Sequence, residues 1–181
     1  MRRSIPALAL LAGLSVLAAG CGGGGGSSKT SAADWAAGYC KAATTWVTTL
    51  DQARASVKPG NAAATPSDAA QQVTDATNTF TQTISGLGEP DTPDGSTSAA
   101  TAKSLSNKLQ GRIARVSAAI NTNNPDVTPA MQKKTVKDQV TASLADVANT
   151  TATLEHSDAA LGTAMAAAPE CTALTKALSS S

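Results

Sequence analysis

Cys40 and Cys171 constrain what this chain can fold into more than any other pair of residues. The sequence holds three cysteines, and the third, Cys21, stands just behind the N-terminal segment. Where disulfides persist, two body cysteines have a single pairing open to them. The bridge would close a loop of about 130 residues. Chain entropy assigns such a loop roughly 5 kcal/mol, large beside a typical net stability of ~5–15 kcal/mol. The bridge also limits topology, because the two Cα atoms must come within about 7 Å. In an up-and-down array of long helices, an even number of helices brings the chain back to the end where it began. Three or five would leave the cysteines at opposite ends. The alternatives, a free thiol or a pair of metal ligands, have only one histidine, His156, and no CxxC beside them.

The export that this argument needs is written in the first thirty residues. Arg2 and Arg3 form a positive n-region, and Ile5 to Ala19 is an uncharged apolar stretch. It is too short to span a bilayer comfortably and has the layout of a secretory signal. It ends in Leu17-Ala18-Ala19-Gly20-Cys21, small residues that let an extended chain enter a peptidase cleft. This run resembles the lipobox of bacterial lipoproteins, with Ala18 at the −3 position where Leu is commoner. The resemblance covers the first 21 residues. It implies that Cys21 carries a thioether-linked diacylglycerol and that signal peptidase II cuts before it. Gly22 to Gly26, then Ser27 and Ser28, read as flexible coil. Two acyl chains meet the requirement for stable anchoring that one does not. The expected organisation is a signal peptide over 1–20, a lipidated cysteine with its tether over 21–30, and a folded domain over 31–181. The Ala/Thr/Gly-rich style is similar to that of small helical lipoproteins of actinobacteria, a likeness of composition that implies no function.

Removing Arg2 and Arg3 leaves 12 basic and 13 acidic residues, a formal charge of −1. That balance does not fit a nucleic-acid binder. Trp35, Tyr39, Trp46 and Phe80 are the aromatics. Alanine is the best helix former, but its burial gains little per residue, so thin, closely packed helices with a weak core are expected.

Ser31 and Asp34 have capping-box spacing. Trp35, Tyr39, Ala42, Trp46, Leu50, Ala53 and Val57 follow at steps of three and four, one helix face, and Pro59-Gly60 stops it. Thr65-Pro66 opens a second helix with the stripe Val73, Thr77, Phe80, Ile84 and Leu87. The loop Glu89 to Gly95, with two prolines and three acids, reads as exposed. A third helix runs from about Ser96 to Asn121 on Leu105, Leu109, Ile113, Val116 and Ile120, and Asn121 to Pro125 is a turn cluster. Thr128-Pro129 starts a fourth, whose stripe runs from Val136 through Thr151, Leu154 and Asp158 to Met165, with Pro169 ending it. A short last helix holds Leu174 and Leu178. No segment alternates with strand period. The fold class is all-α: an antiparallel four-helix bundle, a short extra C-terminal helix and one disulfide. An unbroken fourth helix would be roughly 57 Å long, while Cys40 lies only about 26 Å from the end of the first. A break is therefore expected at His156-Ser157-Asp158, with Ser157 capping the new segment.

His156 has no positioned acid and nucleophile beside it, since i±1 and i+2 neighbours point away on a helix. Glu89, Asp91 and Asp94 match no Ca²⁺ loop, and no phosphate-cradling glycine motif is present. No catalytic residue, metal or cofactor is assigned, and the chain is read as not an enzyme. Trp35, Tyr39 and Trp46 on one face are core anchors in preference to a sugar or haem platform. Asn61 to Ala102 holds acids and no base, and Gly95 to Pro125 holds Lys103, Lys108, Arg112 and Arg115 and no acid. Lys108, Arg112 and Arg115 form one stripe at i, i+4 and i+7. It serves either an anionic lipid or wall polymer, or, as preferred, a hairpin in which the bases of helix three complement the acids of helix two. The expected role is a membrane-anchored, non-enzymatic interaction module at the cell envelope. Its partners would be the membrane, through lipid on Cys21, and an envelope protein or polymer, with no nucleic acid. A spacer without a small ligand, and a carrier of a small apolar ligand in a bundle groove, are the alternatives.

Overall fold

The computed structural model describes residues 29–56, 66–120 and 126–181, and its first helix begins where the capping residues dictate. The Asp34 N–H donates to Ser31 Oγ at 3.1 Å, and that hydroxyl donates to the Asp34 carboxylate at 2.6 Å. Helix α1 (Ala32–Ser56) follows, then α2 (Pro66–Leu87), α3 (Gly95–Ile120) and α4 (Pro129–Ser157). Thr128 caps α4 by accepting the Met131 N–H at 3.3 Å, with Pro129 at its first position. The Pro59-Gly60 stop, the Thr65 cap and the Asn121–Pro125 turn lie outside the described residues, as do the signal, Cys21 and the Gly/Ser run.

Consecutive helices pack as neighbours, α1 on α2, α2 on α3 and α3 on α4, which is the all-α bundle expected. Threonine is tolerated throughout because its hydroxyl can donate to the carbonyl four residues back. Thr44, Thr74, Thr79, Thr83, Thr153 and Thr163 all do so at 2.8–3.0 Å.

The C-terminal part departs from the expected single fourth helix. The break falls at the expected place, but Ser157 is the last residue of α4, and Asp158, in extended conformation, caps α5 (Ala159–Ala167). Pro169 does more than end a helix: it occupies the first turn of α6 (Pro169–Ser180). The pairs Cys40–Cys171 and Asp51–Ser181 keep almost the same offset along the chain, so α6 runs parallel to α1. The order around the bundle is α6, α1, α2, α3, α4, with α5 packed against α1 and α4. The parity argument holds in modified form. Four helices return the chain to the starting end, and α5 then climbs beside α1, so that the first turn of α6 places Cys171 with its Cα 4.9 Å from that of Cys40.

Two further corrections concern the starting end. Lys29–Thr30 (β1) pairs in parallel with Glu89–Pro90 (β2), a contact no strand-period pattern announced. The Glu89–Gly95 loop is not uniformly exposed, because Pro90, Thr92 and Gly95 are buried. Gly88 ends α2 at φ 66°, a left-handed position that favours glycine. A Cβ on Gly95 would overlap the Pro90 carbonyl oxygen.

Candidate functional site

The core aromatics are spent on the fold. Trp35, Tyr39 and Trp46 are all at most 1 % exposed. Trp35 and Tyr39 stack with ring centres 5.6 Å apart. Each polar handle has a partner: Trp35 Nε1 donates to the Gly88 carbonyl at 3.1 Å and Trp46 Nε1 to Thr77 Oγ1 at 2.9 Å, while Tyr39 Oη lies 3.1 Å from Thr151 Oγ1. Burial drives the Tyr39 phenol far above its ordinary pKa; the Thr151 hydrogen bond opposes the shift and Glu155 adds to it. Tyr39 stays protonated and offers neither a phenolate ligand nor a base. The placement as core anchors is the one expected from their shared face. Thr77 and Thr151 were visible on the apolar stripes, but their role as partners of Trp46 and Tyr39 was not.

The starting end of the bundle holds a polar network that ties three segments together. Thr30 donates its hydroxyl to the Leu87 carbonyl, the Asp91 N–H donates to the Thr30 carbonyl at 2.7 Å, and Lys29 Nζ sits 3.4 Å from the Asp91 carboxylate. The segment that enters the fold from the Gly/Ser run is thus fastened to the α2–α3 turn. Asp158, 1 % exposed, accepts from the Ala160 and Leu161 N–H groups at 3.1 Å and from the Thr92 hydroxyl. Burial raises its pKa. Hydrogen bonds from Thr92 and from the backbone of Leu161, Ala160 and Asp94 more than offset that, and hold the carboxyl below its ordinary value of 3.8. It is a structural carboxylate that joins the α2–α3 turn to the α4–α5 joint. His156 is exposed near this joint.

The basic stripe turns away from helix two. Arg112 Nε donates to Asp146 at 2.7 Å and Arg115 Nε to the Gln139 side-chain oxygen at 3.2 Å, both on α4. The Asp75 carboxylate of α2 instead accepts from Gln71 on its own helix. For Arg112 and Arg115 the expected pairing with α2 is therefore replaced by bonds to α4, one ionic and one to a neutral amide. Arg112 and Asp146 keep only 22 % and 18 % of their side-chain surface, so their coupling exceeds that of a fully exposed pair. In a double-mutant cycle, Arg112→Gln and Asp146→Asn are expected to show a coupling of about 1 kcal/mol by chemical denaturation. A coupling indistinguishable from zero would return the stripe to a free surface. Lys108, Lys133 and Lys137 are exposed and make no ion pair among the described residues.

Two adjoining open depressions lie between α1 and α6, lined by Thr44, Thr48, Gln52 and Ala173 in common. They are shallow and threonine-rich, unlike the enclosed apolar cavity that a carrier of apolar molecules needs. Among the described residues no group of three or more His, Cys, Asp or Glu could hold a metal ion, and no helix is long and apolar enough to cross a membrane. No family model, curated protein or solved structure matches the chain.

Proposed function

We infer that the protein is a lipoprotein anchored on the extracytoplasmic side of the cell membrane through lipid on Cys21, where its bundle acts as a non-enzymatic interaction module. The observation that carries this reading is the run Leu17 to Cys21 followed by Gly22 to Ser28. The strap that receives the chain at Lys29–Thr30 supports it: the folded part begins one residue after that run and is fastened there by backbone and side-chain bonds. The non-enzymatic part is supported by how the ionisable groups are used. Tyr39 is sealed in the core, Asp158 is a cap, and His156 stands exposed on a helix end. A spacer role is the second reading, favoured by a core filled with the protein's own aromatics.

Cys21→Ala tests the anchor. The variant is expected to remain unprocessed or to appear in the soluble fraction, whereas the wild type stays with membranes through a carbonate wash. Normal processing and undiminished membrane retention of the variant would overturn the anchored reading.

A further inference from the structure

One short segment carries two long-range attachments. Residues 89–94 lie between Gly88, which ends α2, and Gly95, the first residue of α3. On one side the strap holds it. Lys29 and Thr30 pair with Glu89 and Pro90, the Asp91 N–H donates to the Thr30 carbonyl at 2.7 Å, and Lys29 Nζ sits 3.4 Å from the Asp91 carboxylate. On the other side Asp158 holds it, accepting the Thr92 hydroxyl at Oδ2 and a bond from the Asp94 backbone. The other oxygen of that carboxylate, Oδ1, accepts the Ala160 and Leu161 N–H groups and so caps α5.

We propose that Lys29–Thr30 and Asp158 are the two ends of one latch, so that the strap and the α4–α5 joint hold and open together. The segment between them transmits because it has no slack. The Thr92 N–H donates to the Pro90 carbonyl at 2.9 Å and the Gly95 N–H to the Thr92 carbonyl at 3.2 Å, which makes one tight turn of Pro90 to Gly95. A Cβ on Gly95 would lie 2.0 Å from the Pro90 carbonyl oxygen, so the turn is already seated against the start of α3. When Asp91 leaves Thr30, Thr92 moves with it and its hydroxyl leaves Asp158.

The two ends differ in strength. Asp158 and Thr92 are buried, whereas Asp91 is exposed and the Lys29–Asp91 ion pair keeps more than half of the side-chain surface of both partners. A two-residue pairing at the surface is the kind of element that opens locally while the bundle stays folded. Trp35 Nε1 still holds the Gly88 carbonyl, and α2 still packs on α3. The opening is therefore confined to the strap, the turn and the start of α5. Linkage makes the coupling reciprocal: an event that frees one end frees the other by the same factor. The use of such a latch rests on the anchored reading, in which Lys29 is the first fastened residue beyond the tether and takes up any pull on it.

Amide hydrogen exchange of the full chain in neutral detergent, followed by NMR, tests the latch. Lys29→Gly/Thr30→Gly should speed exchange at Ala160 and Leu161 at least about fivefold and leave Leu109, within α3, changed by less than about twofold. Thr92→Val cuts the link without touching the strap or the cap of α5. It should speed exchange at Asp91 at least about fivefold, and combined with it the strap variant should add less than about twofold at Ala160 and Leu161. Melting temperatures should confirm that the variants fold, and Thr92→Val decides the matter alone should the strap variant not fold. Four results would each overturn the proposal: Ala160 and Leu161 unmoved by the strap variant, an equal acceleration at Leu109, Asp91 unmoved by Thr92→Val, or the same strap effect with and without Thr92→Val. These rates do not depend on the lipid, and Cys21→Ala fractionation reads the anchor separately, so failure of the latch and failure of the anchor are distinguishable.

Discussion

Cys40→Ala together with Cys171→Ala is expected to cost roughly 3–5 kcal/mol of unfolding free energy. The two residues are 131 apart in the chain, and closing so long a loop removes about 5 kcal/mol of entropy from the unfolded ensemble, while removing native bridges costs ~2–5 kcal/mol in practice. The folded side has little to offset that loss. Cys171 and Leu174 are the residues that α6 buries, and Cys40 meets Cys171 from a helix rich in small side chains. Without the bridge, α6 keeps Leu174, the tie from Ser181 to Asp51 at 2.8 Å and the Arg54 contact at 3.3 Å. Urea denaturation should show a lower midpoint. It should also show a steeper slope, because an unbridged unfolded chain exposes more surface. A loss under about 1 kcal/mol with unchanged slope would mean that α6 is held by packing alone.

The second large effect is expected at Asp158. Alanine there leaves two backbone N–H groups at the start of α5 and the Thr92 hydroxyl without their acceptor. Loss of an N-cap costs ~1 kcal/mol, and unsatisfied buried donors add ~1–3 kcal/mol, so a total of about 2–4 kcal/mol is expected. The pH dependence follows from the carboxyl's lowered pKa. A group depressed in the folded state stabilises the fold above its unfolded value and loses that contribution as pH falls through the folded one. The wild type should therefore lose stability on the acid side of the ordinary carboxylate value of 3.8, and Asp158→Asn should be less stable at neutral pH with a flatter acid limb. Equal acid limbs in the two proteins would show that other carboxylates govern acid unfolding.

The helices were legible because their signals are local. Ser31 with Asp34, Thr128 with Pro129, and the apolar spacing between them need nothing beyond neighbouring residues. The bridge was legible because two thiols allow one pairing. The breadth of α1's buried face was not. Ala36, Cys40, Ala43 and Val47 are fully buried beside the expected stripe, because α1 is packed by α2, α5 and α6 at once, and small residues carry no periodic signal of a second contact. The strap was missed for a related reason. Two-residue strands have no period to detect, and Glu89 with Asp91 and Asp94 carry the pattern of a solvated loop, whereas Thr30 and Asp158 draw Pro90 and Thr92 inward. The partner of the basic stripe was misread because charge segregation along a sequence favours the next helix in either direction. Only the packing shows that Arg112 and Arg115 face the helix that follows them and not the one before.

The position of the bridge decides what a single proteolytic cut can separate. Every inter-helix loop, and every residue from Lys41 to Glu170, lies inside the closed ring formed by Cys40 and Cys171. A single cut anywhere in that ring produces two fragments that stay covalently joined, so neither can diffuse away from whatever holds the other. Under the anchoring proposed for Cys21, release by one cut requires cleavage between Cys21 and Cys40. In that stretch the strap, the exposed Ser31–Asp34 cap and the first turns of α1, buried from Trp35 on, occupy residues 29–40. A protease that nicks a loop inside the ring would leave a clipped molecule whose fragments stay joined, visible as two bands only after reduction.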